Sequence, residues 1–116
     1  MKTIKIDALY LLRETEACSD GIIEFLDHFR EGFSINSRKS LESAVRKALK
    51  YYSWEDAFEY LANYDLENYK QELEDEAYDD ADEENGEDFY GDDLWEELPW
   101  KKRIDILWEK FVHYHR

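Results

Sequence analysis

The sequence predicts a mostly α-helical protein, a small bundle of five or six helices. Apolar residues recur at helical spacing in several stretches that follow capping residues. One proline and four glycines among 116 residues leave few tight turns, which disfavours a β-sandwich or a β-barrel. Hydrophobic residues form 43% and aromatic residues 16% of the chain, too much for a disordered chain. We therefore expect a single domain over residues 1–116.

The N-terminal half is predicted to form a helical module over residues 7–62, preceded by one short strand. Lys2–Ile6 alternates polar and apolar residues, which is typical of a strand, and Phe33–Ile35 is the other local strand candidate. Capping chemistry predicts helices that begin after Asp7, Ser19, Ser40 and Ser53, with Asp56 completing a capping box in the fourth and Gly32 ending the second.

The C-terminal half is predicted to hold an acidic segment, residues 66–98, and a last helix, residues 99–116. The apolar spacing of the fourth helix continues from Leu66 to Ala77 after a bend at 63–65. A short helical turn is expected after Asp92 or Asp93, and Pro99 suits the first position of the last helix. The acidic segment therefore lies between the fourth helix and the last one.

Negative charge is concentrated in one part of the chain. The net charge is −15, yet residues 1–53 hold nine Lys and Arg against eight Asp and Glu. Residues 54–100 hold twenty acids and a single base, Lys70. Residues 72–97 alone carry fifteen acids and no base. Because like charges repel, a fold that retains this block is expected to use it or to tolerate it as a solvated loop.

The linear charge density of this acidic block is similar to that of a nucleic acid. If residues 72–97 formed one helix, 26 residues would span about 39 Å, which gives one carboxylate per ~2.6 Å. Duplex DNA carries one charge per ~1.7 Å and a single strand one per ~3.4 Å. Carboxylates three or four residues apart on a helix also lie ~5–6 Å apart, close to the spacing of phosphates.

These residues are the predicted partner-binding site. The carboxylates would meet a basic protein, and the interleaved aromatic side chains would either anchor the block to the body or contact the partner. The predicted contact residues are Glu72, Glu76, Asp79, Asp80, Glu83, Glu84, Glu87, Asp88, Tyr90, Asp92, Asp93 and Trp95. Direct binding to nucleic acid or to an anionic membrane is not expected, since the net charge opposes both.

The sequence does not predict an enzyme, a cofactor or a metal site. The three histidines, His28, His113 and His115, show no catalytic spacing, and no phosphate-binding glycine motif is present. Cys18 is expected to be a small buried residue. EF-hand registers centred on Gly86 or Gly91 both lack the first ligand.

The composition also bears on compartment. One cysteine excludes an internal disulfide framework, and the N-terminus lacks the apolar region of a signal peptide. No apolar run approaches the ~18 residues of a transmembrane helix. We expect a protein of the cytoplasm of a bacterial host. An unpaired strand at Ile4–Ile6 together with the surplus of aromatic residues would be compatible with a homodimer.

Two resemblances point to phage or mobile-element proteins. Residues 7–62 resemble a helical module of phage and bacterial proteins of unassigned role, through Ala17–Gly21, Phe25, Phe29, Ala44, Ala48, Tyr52, Trp54, Ala57 and Leu61. The small size, acidity and aromatic content resemble, in character and without a shared motif, phage DNA mimics of the Ocr-type antirestriction and anti-CRISPR kinds. Those proteins bind the DNA-binding channel of a host defence nuclease.

The resulting functional prediction is a non-enzymatic inhibitor that places its acidic surface in the nucleic-acid-binding groove of a host defence protein. The mildly basic residues 1–53 limit any mimicry to one face. Two alternatives remain open: an antitoxin or immunity protein that neutralises a basic toxin, and a phage structural or assembly protein with a solubilising acidic loop.

Overall fold

The computed structural model describes residues 2–15, 18–80 and 90–115, with the backbone alone for Asp79 and Asp80. Its elements, in chain order, are β1 (Ile4–Ile6), α1 (Ala8–Glu14), α2 (Ser19–His28), β2 (Phe33–Ile35), α3 (Arg38–Ala48), α4 (Trp54–Ala62), α5 (Leu66–Asp80), α6 (Gly91–Glu96) and α7 (Trp100–Tyr114). The mostly-α class is confirmed. The described ranges contain seven helices, because α5 is separate from α4 and because residues 91–96 form a helix of their own.

The two short strands pair with each other. β1 and β2 run antiparallel, with Ile4 opposite Ile35 and Ile6 opposite Phe33. The buried side chains of Ile6, Phe33 and Ile35 face the core, while Lys5 and Ser34 between them are exposed, as the period-2 pattern requires. The strand at Ile4–Ile6 therefore finds its partner within the chain, which removes the argument for a homodimer that rested on an unpaired strand.

Several helix boundaries follow the predicted caps. The Asp7 side chain accepts a hydrogen bond from the Tyr10 amide at the start of α1. Ser53 and Asp56 form a reciprocal capping box at the start of α4. Asn63 ends α4 in the left-handed conformation, with φ of 47°, which produces the predicted bend before α5.

Other predicted boundaries are wrong by one to three residues. Cys18 rather than Ser19 is the N-cap of α2, and Ser37 rather than Ser40 caps α3. The Ser40 side chain instead completes the capping box with Ser37. Pro99 precedes α7 as its N-cap, and α6 begins at Gly91, two residues before the earlier of the two predicted start positions.

The inward face of α1 also differs from the leucine spacing of the sequence. Tyr10 and Leu11 are buried, whereas Leu9 and Leu12 are 58% and 67% exposed. The Asp7 cap fixes where the helix starts, and Tyr10 then faces α7, where its hydroxyl lies 3.3 Å from His115 Nε2. The core is otherwise one cluster to which every helix contributes a buried side chain, including Phe25 (α2), Val45 (α3), Phe58 (α4), Leu66 (α5), Trp95 (α6) and Phe111 (α7). None of the described helices is long and apolar enough to cross a membrane.

Gly32 lies in the turn into β2 rather than at the end of α2, which already ends at His28. Its φ is +69°, and a Cβ added there would lie 2.1 Å from the carbonyl oxygen of Ile6. Both the backbone conformation and the close approach of β1 therefore require glycine at this position.

We expect Gly32→Ala to lower the free energy of unfolding by about 1–3 kcal/mol, because it combines a strained φ with a backbone clash. Urea denaturation followed by far-UV circular dichroism measures this change. Gly21→Ala is the matched control, since an added Cβ there meets only ordinary contacts at 3.8 Å within α2. The control should stabilise the protein by up to about 1 kcal/mol; equal effects at the two glycines would contradict the assignment.

Candidate partner-binding surface

The candidate site is built on α5, which turns one side toward the core and the other toward solvent. An inward-facing stripe with the spacing i, i+3, i+4, i+7 is formed by Leu66, Tyr69, Lys70 and Leu73. Leu66 is buried, and Tyr69 and Leu73 pack against the core. Lys70 occupies the i+4 position of this otherwise apolar stripe and is only 6% exposed.

Three carboxylates surround the Lys70 ammonium group. Its Nζ donates to Glu55 Oε1 on α4 at 2.6 Å, to Asp92 Oδ1 on α6 at 2.7 Å and to Glu67 Oε1 on α5 at 3.4 Å. A buried ammonium group is costly unless it is paired and its protons are hydrogen-bonded, and here each proton has an acceptor. Lys70 therefore ties together the three helices that carry the acidic half of the chain.

The ionisation of this cluster favours the paired state. Burial lowers the pKa of Lys70, but the hydrogen bonds to Asp92 and Glu55 outweigh burial and raise that pKa overall. The same hydrogen bond from Lys70 holds the pKa of the Glu55 carboxyl below its usual value. Lys70 is thus charged at neutral pH. It is the single basic residue of positions 54–100, and its charge is neutralised by carboxylates of the same fold.

A second contact holds α6 against α5. The Gly91 amide donates to Glu74 Oε1 at 2.6 Å. A Cβ added to Gly91 would lie 2.7 Å from the carbonyl oxygen of Lys70, so only glycine allows the two helices to approach this closely. The start of α6 is thereby fixed at the middle of α5.

Trp95 holds the other end of α6 in the core. Its side chain is 2% exposed, and its ring packs edge-on against those of Trp54, Phe58 and Tyr69 at centroid distances of 5.7–6.1 Å. The Arg103 guanidinium lies 5.4 Å from the Trp95 ring. The prediction that Trp95 contacts a partner is therefore wrong, because this side chain anchors the acidic half to the body.

Several predicted contact residues do face solvent. Glu72, Glu76 and Asp93 are exposed, and Tyr90 is 59% exposed. We define the acidic face as those exposed carboxylates of α5, of α6 and of its C-cap that form no ion pair within the described ranges: Glu72, Asp75, Glu76, Asp93 and Glu97. Burial raises the pKa of the Tyr69 hydroxyl, and the charges of Glu76 and Glu72 raise it further, which reflects the negative potential here.

The remaining predicted contact residues do not belong to the acidic face as defined here. Asp92 is exposed as well, but its carboxylate is paired with Lys70. Asp79 and Asp80 lie in the last turn of α5, and the predictions for Glu83, Glu84, Glu87 and Asp88 fall outside the described residues. A single helix over residues 72–97 is not formed, because the backbone of Tyr90 is extended at the N-cap of α6.

Reasoning from the sequence missed the residues that position this face: Glu55, Glu67, Lys70, Glu74 and Gly91. A signal was present, since Lys70 is the single base among twenty acids and stands at an apolar position of the helical stripe. Its partners could not be found in this way, because Glu55 and Asp92 are distant in sequence and only the fold brings them together.

The residues considered for catalysis are placed apart from this face. Cys18 is exposed, contrary to the expectation that it is buried. His28 stacks on Tyr51 with ring centroids 3.8 Å apart, and His115 Nε2 donates to the carbonyl oxygen of Leu61 at 3.0 Å. Within residues 2–15, 18–80 and 90–115, no group of three or more His, Cys, Asp or Glu side chains is arranged to hold a metal ion.

Comparison with known protein families, with curated proteins and with solved structures found no significant match.

We expect Lys70→Met to lower the free energy of unfolding by about 1–3 kcal/mol at neutral pH. The substitution leaves Glu55, Glu67 and Asp92 facing one another without a cation. Their side chains are 47–77% exposed, so the effect should fall below the 3–5 kcal/mol typical of a broken buried pair. Chemical denaturation measures the change. Lys102→Met, at an exposed position, is the control and should stay within about 0.5 kcal/mol of the native protein. Equal stability of the two variants would show that the Lys70 cluster is not a structural tie.

Proposed function

We propose that this protein is a non-enzymatic inhibitor whose acidic face occupies the positively charged nucleic-acid-binding groove of another protein. The carboxylates of α5 and α6 would take the place of phosphates, and exposed Tyr90 would add an apolar contact at the edge. Opposite charge on the groove would speed association and orient the complex.

The observation that carries this proposal is the internal neutralisation of Lys70. A solubilising acidic loop needs no fixed geometry, because hydration alone supports it. Here the segment that contains the acids is tied to α4 by the Lys70–Glu55 pair and to the core by Trp95. The outward side is left with carboxylates whose backbone is held in helices, so a partner can bind them at a small ordering cost.

The charge spacing on α5 supports the same conclusion. The fifteen residues from Leu66 to Asp80 include seven carboxylic acids, and a helix of that length spans about 22 Å. One carboxylate per ~3 Å is close to the spacing of charges along one nucleic-acid strand, ~3.4 Å. Glu72 and Glu76 lie one helical turn apart on the exposed side. The mimicry is thus of one strand rather than of a duplex.

The proposed target is a host defence protein that acts on DNA or RNA, in the manner of anti-CRISPR and antirestriction inhibitors. A phage or mobile-element origin and action in the bacterial cytoplasm belong to the same proposal. The acidic face, the mildly basic residues 1–53 and the absence of catalytic spacing among the histidines are the features that support it.

We expect the native protein, immobilised at about 50 mM salt, to retain a nucleic-acid enzyme from a bacterial lysate and to release it at about 500 mM salt. Added polynucleotide should displace the same enzyme, because both ligands would occupy one groove. The test variant neutralises the acidic face with Glu72→Gln, Glu76→Gln and Asp93→Asn, and it should lose retention.

The matched control neutralises three exposed carboxylates of α2, with Asp20→Asn, Glu24→Gln and Asp27→Asn, so that both variants have the same net charge. The control should retain the enzyme as the native protein does. Equal loss in both variants would reduce the effect to net charge alone. Retention of a toxin from a neighbouring gene, or of a partner that polynucleotide does not displace, would contradict the proposed mimicry.

A further inference from the structure

Positively charged side chains are also grouped on one surface of the protein. α3 carries a row of exposed cations on its outer side, and two more exposed cations stand at the beginning of α7. We define the basic face as Lys39, Arg46, Lys47, Lys50, Lys101 and Lys102. Lys39 and Arg46 are seven residues apart on one side of α3, and Lys50 lies in the turn that follows the helix.

Contacts between α3 and α7 hold this face together. Arg38 forms an ion pair with Asp105 and also donates to the carbonyl oxygen of Lys101 at 3.4 Å. The Trp100 indole donates to Glu42 Oε1 at 2.7 Å, and the Arg46 guanidinium lies 4.7 Å from the Trp100 ring. The two basic elements are therefore fixed side by side.

The carboxylates beside the basic face are already engaged. Hydrogen bonds from Trp100 and Arg46 hold the pKa of the Glu42 carboxyl below its usual value, and Asp105 is paired with Arg38. Lys39, Lys47, Lys50, Lys101 and Lys102 form no ion pair within the described ranges. Five lysine charges are thus presented to solvent in a molecule whose net charge is −15.

The basic and acidic faces lie on different elements. α3 packs against β2 and α7, whereas α5 packs against α4 and α6. Each copy therefore presents two complementary charged surfaces at once.

We propose that the basic face docks on the acidic face of a second copy of this chain, in a head-to-tail arrangement. Charge complementarity selects this occupant: the acidic face supplies clustered carboxylates, and the basic face supplies clustered ammonium groups. A nucleic acid would meet the same long-range repulsion as a second copy, so its binding is an outcome of the test below. Such an interface is heterologous, so it links copies into chains or a ring rather than closing a two-fold dimer.

The salt concentration determines whether this contact between two copies forms. At about 0.1 M ionic strength the Debye length is ~10 Å, so the mutual repulsion of two negative molecules is largely screened while charges in contact still attract. At about 1 M the Debye length falls to ~3 Å, and the contact is screened as well. Self-association is therefore a property of moderate salt, and it covers the surface to which the inhibitory function is assigned above.

Sedimentation of the purified full chain tests the proposal without any target protein, so its failure leaves the proposed function untouched. At about 100 mM salt the mean mass should rise with protein concentration above the monomer value of 14.1 kDa, and it should return to that value at about 1 M salt. Reversing the basic face with Lys39→Glu, Lys47→Glu and Lys50→Glu should abolish the rise. Reversing the acidic face with Glu72→Lys, Asp75→Lys and Glu76→Lys should abolish it too.

Mixing the two reversed variants should restore association as a mixed complex, because each then supplies the face that the other needs. The control reverses three exposed cations elsewhere, with Lys2→Glu, Lys5→Glu and Arg30→Glu, and should associate like the native chain. A monomer at every concentration, association that survives both reversals, or binding of a polynucleotide by the native chain at about 100 mM salt would each overturn the proposal.

Discussion

The buried ammonium group of Lys70 determines how the acidic half of the chain can fold. A like-charged segment disfavours compaction, because each carboxylate that approaches another costs free energy. Lys70 offsets that cost where α4, α5 and α6 meet, because its ammonium group donates hydrogen bonds to Glu55, Glu67 and Asp92. Trp95 and the close approach at Gly91 then fill the same junction with apolar and backbone contacts. The outward carboxylates are a consequence of this arrangement, since the cation that could have neutralised them is used inside.

The fold class, the two strand segments and most helices could be predicted because local signals specify them, whereas the pairing of the strands could not. Asp7 and Ser53 are capping residues at positions where the backbone needs an acceptor, and the Ile4–Ile6 alternation matches a half-buried strand. Helix ends are harder to predict: the sequence predicts that Gly32 ends α2, whereas its positive φ belongs to the turn into β2. A glycine reports an unusual backbone conformation but not which element requires it.

The sequence predicts which segment forms the candidate site, but not how the fold positions its side chains. Charge counting located the acidic block, because charge is a property of the sequence alone. Whether an aromatic residue such as Trp95 points outward or inward depends on long-range packing, and no local pattern encodes it. The partners of Lys70 come from three helices, which only the tertiary structure brings together. The organisation of the surface, rather than its existence, therefore had to come from the structure.

Amide hydrogen exchange of the free protein tests most directly whether the fold holds the acidic face in place. We expect slow exchange at the Gly91 amide, which donates its hydrogen bond to Glu74, and along the α5 amides, with protection approaching that of α7. Lys70→Met should speed exchange in α5 and α6 more than in α3. Exchange of α5 and of Gly91 at the rate of an unfolded chain, beside a protected α7, would contradict the central claim and make the acidic segment a solvated appendage.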